Sequence, residues 1–250
     1  LGIDALRTTR AIRVRVETPQ EINQVFDGIA YEKTAGVLRM VEAFVGPELF
    51  RKGVASYLKR YAFANATGED FWTEMARVTG RPIDRILSGY IEQPGAPAIT
   101  VETRCAARQT ELTMRQQRFV GHPGASAAPA SQRWAVPVCV KTADGRTRCD
   151  VLDDARDAFR APMCGPVFAN ADARGYYLTE YAPAAVAALA REAGRLVPAE
   201  RLSLLGDEWW MARAGRHDIG VYLDLAAALA GDETAAVTAT IADRLAQTGE

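Results

Sequence analysis

Residues 26–40 read FDGIAYEKTAGVLRM, and the chain beyond this stretch continues its apolar pattern. From residue 37 onward, apolar side chains recur three and four positions apart, the spacing of one face of an α-helix. They are Val37, Leu38, Val41, Phe44 and Val45. Gly46-Pro47 ends the run, because glycine commonly closes a helix and proline cannot continue one. The stretch therefore predicts a helix with one buried face.

The helical pattern extends over residues 19–93. It opens at Thr18-Pro19-x-Glu21, where Thr18 is a favourable N-cap and Pro19 suits the first helical position. Three further helices are predicted: one with apolar residues from Leu49 to Leu58, one from Thr67 to Gly80, and one from Pro82 to Ile91.

A turn cluster, Gln93-Pro94-Gly95-x-Pro97, marks a change of pattern, and we place the first domain boundary there. Beyond it apolar and β-branched residues alternate, which predicts short strands at 99–103, 111–114, 134–140, 167–168 and 176–178. Residues 121–131 are rich in Gly, Pro, Ala and Ser and are predicted to form a loop. Several short strands at this spacing predict a small β-sandwich.

From residue 182 the sequence is rich in Ala and Leu and has helical spacing again. Four helices are predicted, near 184–193, 202–215, 219–230 and 233–247. Short connections between successive helices are typical of the beginning of a helical solenoid, although no strict repeat is present.

Composition excludes several classes of protein. The formal net charge is −1 and charges of both signs are mixed along the 250 residues, which argues against a nucleic-acid partner. No apolar run reaches the length needed for a membrane span, and the first residues do not resemble a signal peptide. The chain begins with Leu1, so we expect it to be a piece of a longer protein, called the parent protein below.

Four cysteines lie in the middle of the chain, and their spacing fits no zinc ribbon or redox motif. Cys139 and Cys149 flank a predicted hairpin turn at 143–145, which would place them opposite each other on neighbouring strands. The sequence leaves two interpretations open: a disulfide in an oxidising compartment, or buried free thiols in a sheet.

Known catalytic motifs are absent from the sequence. It contains no H-E-x-x-H, no phosphate-binding glycine loop and no G-x-S-x-G. Its two histidines, His122 and His217, are far apart, whereas catalytic zinc typically takes three protein ligands. Both are predicted to be ordinary surface histidines.

The opening stretch resembles F-D-x-I-x-Y-x-K-G-A-x-V-L-R-M, the segment that follows the zinc site in the aminopeptidase N (membrane alanyl aminopeptidase, gluzincin) family of zinc aminopeptidases. Further matches occur in the family's order along nearly the whole chain, which makes the resemblance specific. They are Phe50-Arg51-Lys52-Gly53, Tyr57-Leu58, Asn65-Ala66-Thr67, Asp70-x-Trp72, Gln93-Pro94-Gly95-x-Pro97, Trp134-x-Val136-Pro137-Val138, Asn170-x-Asp172-x-x-Gly175-Tyr176-Tyr177 and Arg201-Leu202-x-Leu204-Leu205-x-Asp207.

The resemblance implies a multidomain α+β fold. Residues 1–96 would be the helical C-terminal part of a thermolysin-like catalytic domain, residues 97–180 a small β-sandwich domain, and residues 181–250 the beginning of a solenoid-like α-helical C-terminal domain. The helical domain would cover the active-site cavity and limit substrate length.

Tyr31 is the one catalytic residue that the resemblance assigns to this chain. In the family the matching tyrosine faces the scissile carbonyl, and a phenolic O–H can donate to its oxygen as negative charge develops. A fixed donor of this kind is worth about 3 kcal/mol at the transition state. Without the resemblance, an aromatic residue on a helix would more often be a packing residue.

Two positions depart from the family pattern. Thr34 stands where the family has glycine, and its β-branched side chain is expected to tighten the helix turn and narrow the adjacent site. Leu178-Thr179 stands where the family favours Arg-Val, which puts in doubt a contact of the β-domain.

The family's zinc ligands, its general-base glutamate and its G-x-M-E-N strand lie upstream of the segment matched here. We therefore expect zinc in the parent protein only, with no metal or cofactor bound by this chain and no peptide hydrolysis by the chain alone. Peptide substrates would be reached through the parent protein. The alternative is a non-enzymatic interaction or scaffold module made of the sandwich and helices. The sequence leaves residue preference, compartment and oligomeric state open.

Overall fold

The computed structural model describes residues 2–124, 132–154, 156–161 and 163–248, and its N-terminal part is helical as predicted. The elements are α1 (Pro19–Gln24), a π-helix (Ile29–Lys33), α2 (Thr34–Val45), α3 (Pro47–Arg60), α4 (Gly68–Thr79) and α5 (Ile83–Glu92). Capping boxes open α1 and α4, because Thr18 and Thr67 exchange hydrogen bonds with the acidic residue three positions later.

The middle region contains two β-sheets. Its strands are β1 (Pro97–Ala106), β2 (Gln109–Arg118), β3 (Val136–Lys141), β4 (Thr147–Leu152), β5 (Arg156–Ala161) and β6 (Leu178–Tyr181). One sheet has the order β5-β2-β1-β6, with β6 parallel to β1, and the other is the β3-β4 hairpin. Residues 167–168, predicted as a strand, contribute only an isolated bridge between Phe168 and Lys141. Most of the predicted loop at 121–131 lies outside the described residues.

The C-terminal region is helical, with α6 (Pro183–Arg191), α7 (Pro198–Arg213), α8 (Ile219–Ala228) and α9 (Ala235–Thr248). None of the helices in the described ranges has the length and apolarity needed to cross a bilayer. Helical ends and a central pair of sheets confirm the α+β class.

One hydrophobic core runs through all three regions. Val41 of α2, Ile99 of β1, Val138 of β3 and Leu205 of α7 all belong to the same cluster of buried side chains. Since both sheets bury their apolar faces in this cluster together with α2 and α5, these two helices are packed in a fixed orientation against the strands.

Two disulfide bonds lie in the β-region. Cys139 and Cys149 are register partners on β3 and β4 and are bonded, so the interpretation as free thiols is wrong. A second bond, which the sequence did not indicate, joins Cys105 at the end of β1 to Cys164, 59 residues later. Nothing local in the sequence could reveal that pair, because the pairing of β1 with β2 and of β2 with β5 brings the two cysteines together.

Candidate active-site tyrosine and the ion pair behind it

Tyr31 lies on the π-helix that precedes α2, and its side chain is 60% exposed. Its ring centre is 6.0 Å from that of Phe26, which is also exposed. Because the Tyr31 side chain is exposed, a ligand can reach it. Accessibility is the first requirement for the role that the resemblance assigns.

Hydrogen bonds to Asp27 fix the beginning of the π-helix. Its Oδ1 accepts the backbone N–H groups of Ile29 at 2.9 Å and Ala30 at 3.1 Å. Arg10 donates to the same oxygen at 2.7 Å and also to the carbonyl oxygen of Val25. The carboxylate thus satisfies donors that a helix N-terminus leaves free. Short π-helical turns of this kind are frequent at functional sites.

The end of the π-helix is held by a buried ion pair. Lys33 and Asp4 are each only 1% exposed, and the Lys33 Nζ lies 3.2 Å from both carboxylate oxygens. The ammonium also donates to the carbonyl oxygen of Gly95 at 2.8 Å, while the Gly95 N–H donates to Asp4 at 3.0 Å. Burial lowers the pKa of Lys33, and the facing carboxylate opposes this effect.

Tyr176, which lies two residues before β6, also belongs to this hydrogen-bond network. Its hydroxyl donates to Asp4 Oδ2 at 3.2 Å, and burial raises its pKa, which keeps the hydroxyl protonated as a donor. Its ring lies against Gly36 on α2, where a Cβ atom would come within 2.7 Å of the ring. The motifs around Tyr31, Gly95 and Tyr176, although distant in sequence, therefore meet around one ion pair.

Asp4 and Lys33 were not predicted to be site residues from the sequence. Lys33 could have been identified from the sequence, since it is the lysine of the Y-x-K motif that includes Tyr31. Asp4 gave no local signal, because Lys33, Gly95 and Tyr176 lie 29, 91 and 172 positions away. Its nearer partner Thr9 donates only a long hydrogen bond of 3.4 Å.

A metal centre does not fit the described residues. Across them there is no group of three or more His, Cys, Asp or Glu side chains placed to hold a metal ion. His122 is exposed, as predicted. The prediction for His217 is wrong: its side chain is 8% exposed and its Nδ1 lies 2.8 Å from Glu208. That hydrogen bond raises the pKa of His217. His217 thus has a structural role as the hydrogen-bond partner of the buried Glu208 carboxylate.

The two departures from the family pattern have clear structural settings. Thr34 has ordinary helical backbone angles, φ −60° and ψ −45°, so the conformational freedom of glycine is not needed there. Thr179 is buried on β6 and donates to Asp207 through its backbone N–H at 2.9 Å and its hydroxyl at 2.6 Å. Thr179 therefore links β6 to α7 through a hydroxyl that the family's valine would lack.

Comparison with known families and proteins agrees with this picture. The model of the peptidase family M1 domain matches residues 1–90, and that of the ERAP1-like C-terminal domain matches residues 166–249.

Similar curated proteins include the puromycin-sensitive aminopeptidase of Caenorhabditis elegans, 30% identical over 243 residues that cover 93% of this chain and 25% of that protein. The glutamyl aminopeptidase of Bitis rhinoceros is 32% identical over 228 residues, 85% of this chain and 23% of that protein. The tricorn protease-interacting factor F2 of Thermoplasma acidophilum is 30% identical over 223 residues, 89% of this chain and 27% of that protein. The chain spans about a quarter of the length of these relatives. Together with the ordered motifs, these matches show that the chain belongs to peptidase family M1.

Proposed function

We propose that this chain is part of a zinc-dependent aminopeptidase and that Tyr31 is its oxyanion donor. The observation that carries the proposal is an exposed tyrosine on a π-helical turn that is fixed at both ends, by Asp27 and by the Lys33–Asp4 pair. The zinc ligands are assigned to the part of the parent protein outside this chain.

Tyr31 would act on the carbonyl of the first peptide bond of a substrate. When the carbonyl carbon is attacked, its oxygen gains negative charge, and the phenolic O–H donates a hydrogen bond to that oxygen. A donor that is already oriented stabilises the charge without reorganisation during the reaction. The anchored turn supplies that orientation.

Replacing Tyr31→Phe in the parent protein tests the assignment. We expect kcat to fall about a hundredfold or more, with the fold intact, because only the hydroxyl is removed. Tyr57→Phe, on α3, is the matched control and should retain the wild-type kcat. A Tyr31→Phe enzyme with nearly unchanged kcat would leave Tyr31 as a packing residue, whereas a parent protein without any peptidase activity would favour the non-enzymatic interaction module.

The chain by itself is expected to bind no catalytic zinc and to hydrolyse no peptide. Zinc content after dialysis and cleavage of an alanyl amide by the isolated chain measure this. Stoichiometric zinc together with turnover would refute it.

The domain limits are part of the same proposal: residues 1–96, 97–180 and 181–250. Support comes from the positions of β1, which begins at Pro97, and β6, which ends at Tyr181. The C-terminal helices would then cover the active-site cavity and limit the length of the substrate.

Two disulfide bonds favour an exported parent protein over a cytoplasmic one. Disulfides form and persist in oxidising compartments and are rare in the cytosol. All four cysteines are paired, two by two.

A further inference from the structure

We propose that Lys33 is a positioning residue for Tyr31: its buried ion pair with Asp4 sets the direction in which the tyrosine hydroxyl points. This inference rests on the proposed oxyanion role of Tyr31. Lys33 itself would touch neither the substrate nor the reacting atoms.

The two side chains point to opposite sides of one helical turn. Residues two positions apart on a helix do not share a face. Accordingly Tyr31 is 60% exposed, whereas Lys33 is 1% exposed. A shift of the lysine side would therefore rotate or tilt the turn and displace the tyrosine.

Within the described residues, the π-helical turn is anchored at its beginning by Asp27 and at its end by Lys33. Of the five residues of the π-helix only Ile29 and Lys33 are buried, and α1 before it has no buried residue. The apolar contact of Ile29 is not directional, while the ion pair fixes distances and angles. Lys33 thus supplies a directional contact at the end of the turn.

The partners of Lys33 are themselves held firmly. Asp4 accepts hydrogen bonds from the Gly95 N–H and the Tyr176 hydroxyl, and Gly95 stands two residues before β1. The Lys33–Asp4 ion pair therefore links the π-helical turn of Tyr31 to the beginning of β1. A buried, unpaired Asp4 would be costly, so loss of Lys33 should move the surrounding chain.

The test is a double-mutant cycle in the parent protein. Lys33→Met should lower kcat between about tenfold and a hundredfold, because small displacements of a catalytic group are costly. The change in KM should be less than about twofold, since Lys33 is buried and would not touch the substrate. In a Tyr31→Phe background the same Lys33→Met substitution should change kcat by less than about twofold, because no hydroxyl is left to misplace.

Further variants separate positioning from general stability. Tyr176→Phe removes one hydrogen bond to Asp4 and leaves the ion pair, so it should give a smaller loss of kcat that also disappears in the Tyr31→Phe background. It serves as the primary test if Lys33→Met does not fold. Glu74→Gln weakens the ion pairs that the buried Glu74 of α4 makes with the exposed Arg60 and Arg77, and should reduce stability without lowering kcat.

The outcomes distinguish the two proposals. If Tyr31→Phe alone has the kcat of the wild type, the proposed oxyanion role fails, and the inference about Lys33 fails with it. If Tyr31→Phe is slow but Lys33→Met lowers kcat equally in both backgrounds, only the positioning role of Lys33 is overturned.

Discussion

Individual buried acids connect the sheets to the C-terminal helices. Asp207 on α7 accepts two hydrogen bonds from Thr179 on β6. Burial nevertheless raises the pKa of Asp207 to about 7, against the effect of those hydrogen bonds. The next residue, the buried Glu208, forms a hydrogen bond with the largely covered side chain of His217. The protonation state of Asp207 is therefore expected to affect the stability of the contact between β6 and α7.

Stability should fall as the pH rises through the acidic range. Between the ordinary aspartate pKa of about 4 and the folded value of about 7, the folded chain binds one more proton at Asp207 than the unfolded chain does. The free energy of unfolding should decrease across that window by up to about 4 kcal/mol in total, as measured by urea denaturation at a series of pH values.

Asp207→Asn provides the decisive comparison, because the amide oxygen can still accept the hydrogen bonds of Thr179 but does not titrate. Its unfolding free energy should vary less with pH in this window. Asp224→Asn, an exposed site on α8, should leave the wild-type slope unchanged. An Asp207→Asn chain with the wild-type pH dependence would contradict the assignment.

At the scale of elements, α2 depends on a close approach between a helix and a tyrosine ring. Gly36 has no space for a side chain, because a Cβ atom would lie 2.7 Å from the Tyr176 ring. A Cβ atom at Gly206 on α7, by contrast, would have no neighbouring atom within 4 Å. Two glycines within helices thus have opposite structural roles.

Replacing each glycine by alanine should therefore have opposite effects on stability. Gly206→Ala should stabilise the chain by about 1 kcal/mol through helix propensity. Gly36→Ala should destabilise it by about 1–3 kcal/mol, because the ring must move. Thermal or urea unfolding of both variants measures this, and a stabilising Gly36→Ala would show that the contact with Tyr176 is loose.

Element types and ends were predictable where local chemistry decides them. The capping threonines, the glycine that closes α4 and the alternating residues of β3 placed helices and strands correctly. The π-helix was not predicted, since its start is fixed by the Asp27 carboxylate, which Arg10 binds from 17 positions away. The parallel pairing of β1 with β6 was not predicted either, because it joins segments 80 positions apart.

At the scale of the whole molecule, the ordered motifs identified the family and drew attention to Tyr31. They did not show why the motif residues are needed, because that follows from long-range contacts. The Lys33–Asp4 pair and the Cys105–Cys164 bond both join segments whose proximity is set only by the complete fold.

The two disulfides should contribute unequally to stability. A disulfide lowers the entropy of the unfolded chain and so raises its free energy. The increase is about 4 kcal/mol for the 59-residue separation of Cys105 and Cys164 and about 3 kcal/mol for the 10-residue separation of Cys139 and Cys149. The Cys105→Ser/Cys164→Ser pair of substitutions should therefore lower the unfolding free energy more than Cys139→Ser/Cys149→Ser. Alkylation without reductant checks the pairing, and four freely modified thiols in the exported protein would contradict it.

The most direct test of the oxyanion role is the inhibition constant of a phosphinic peptide, which mimics the tetrahedral intermediate, against the parent protein and its Tyr31→Phe variant. A group that acts in the transition state must bind such an analogue more strongly than it binds the substrate. The inhibition constant should rise about a hundredfold, in step with the fall in kcat/KM, while KM changes little. An inhibition constant that is the same for both enzymes would contradict the assignment of Tyr31 as the oxyanion donor.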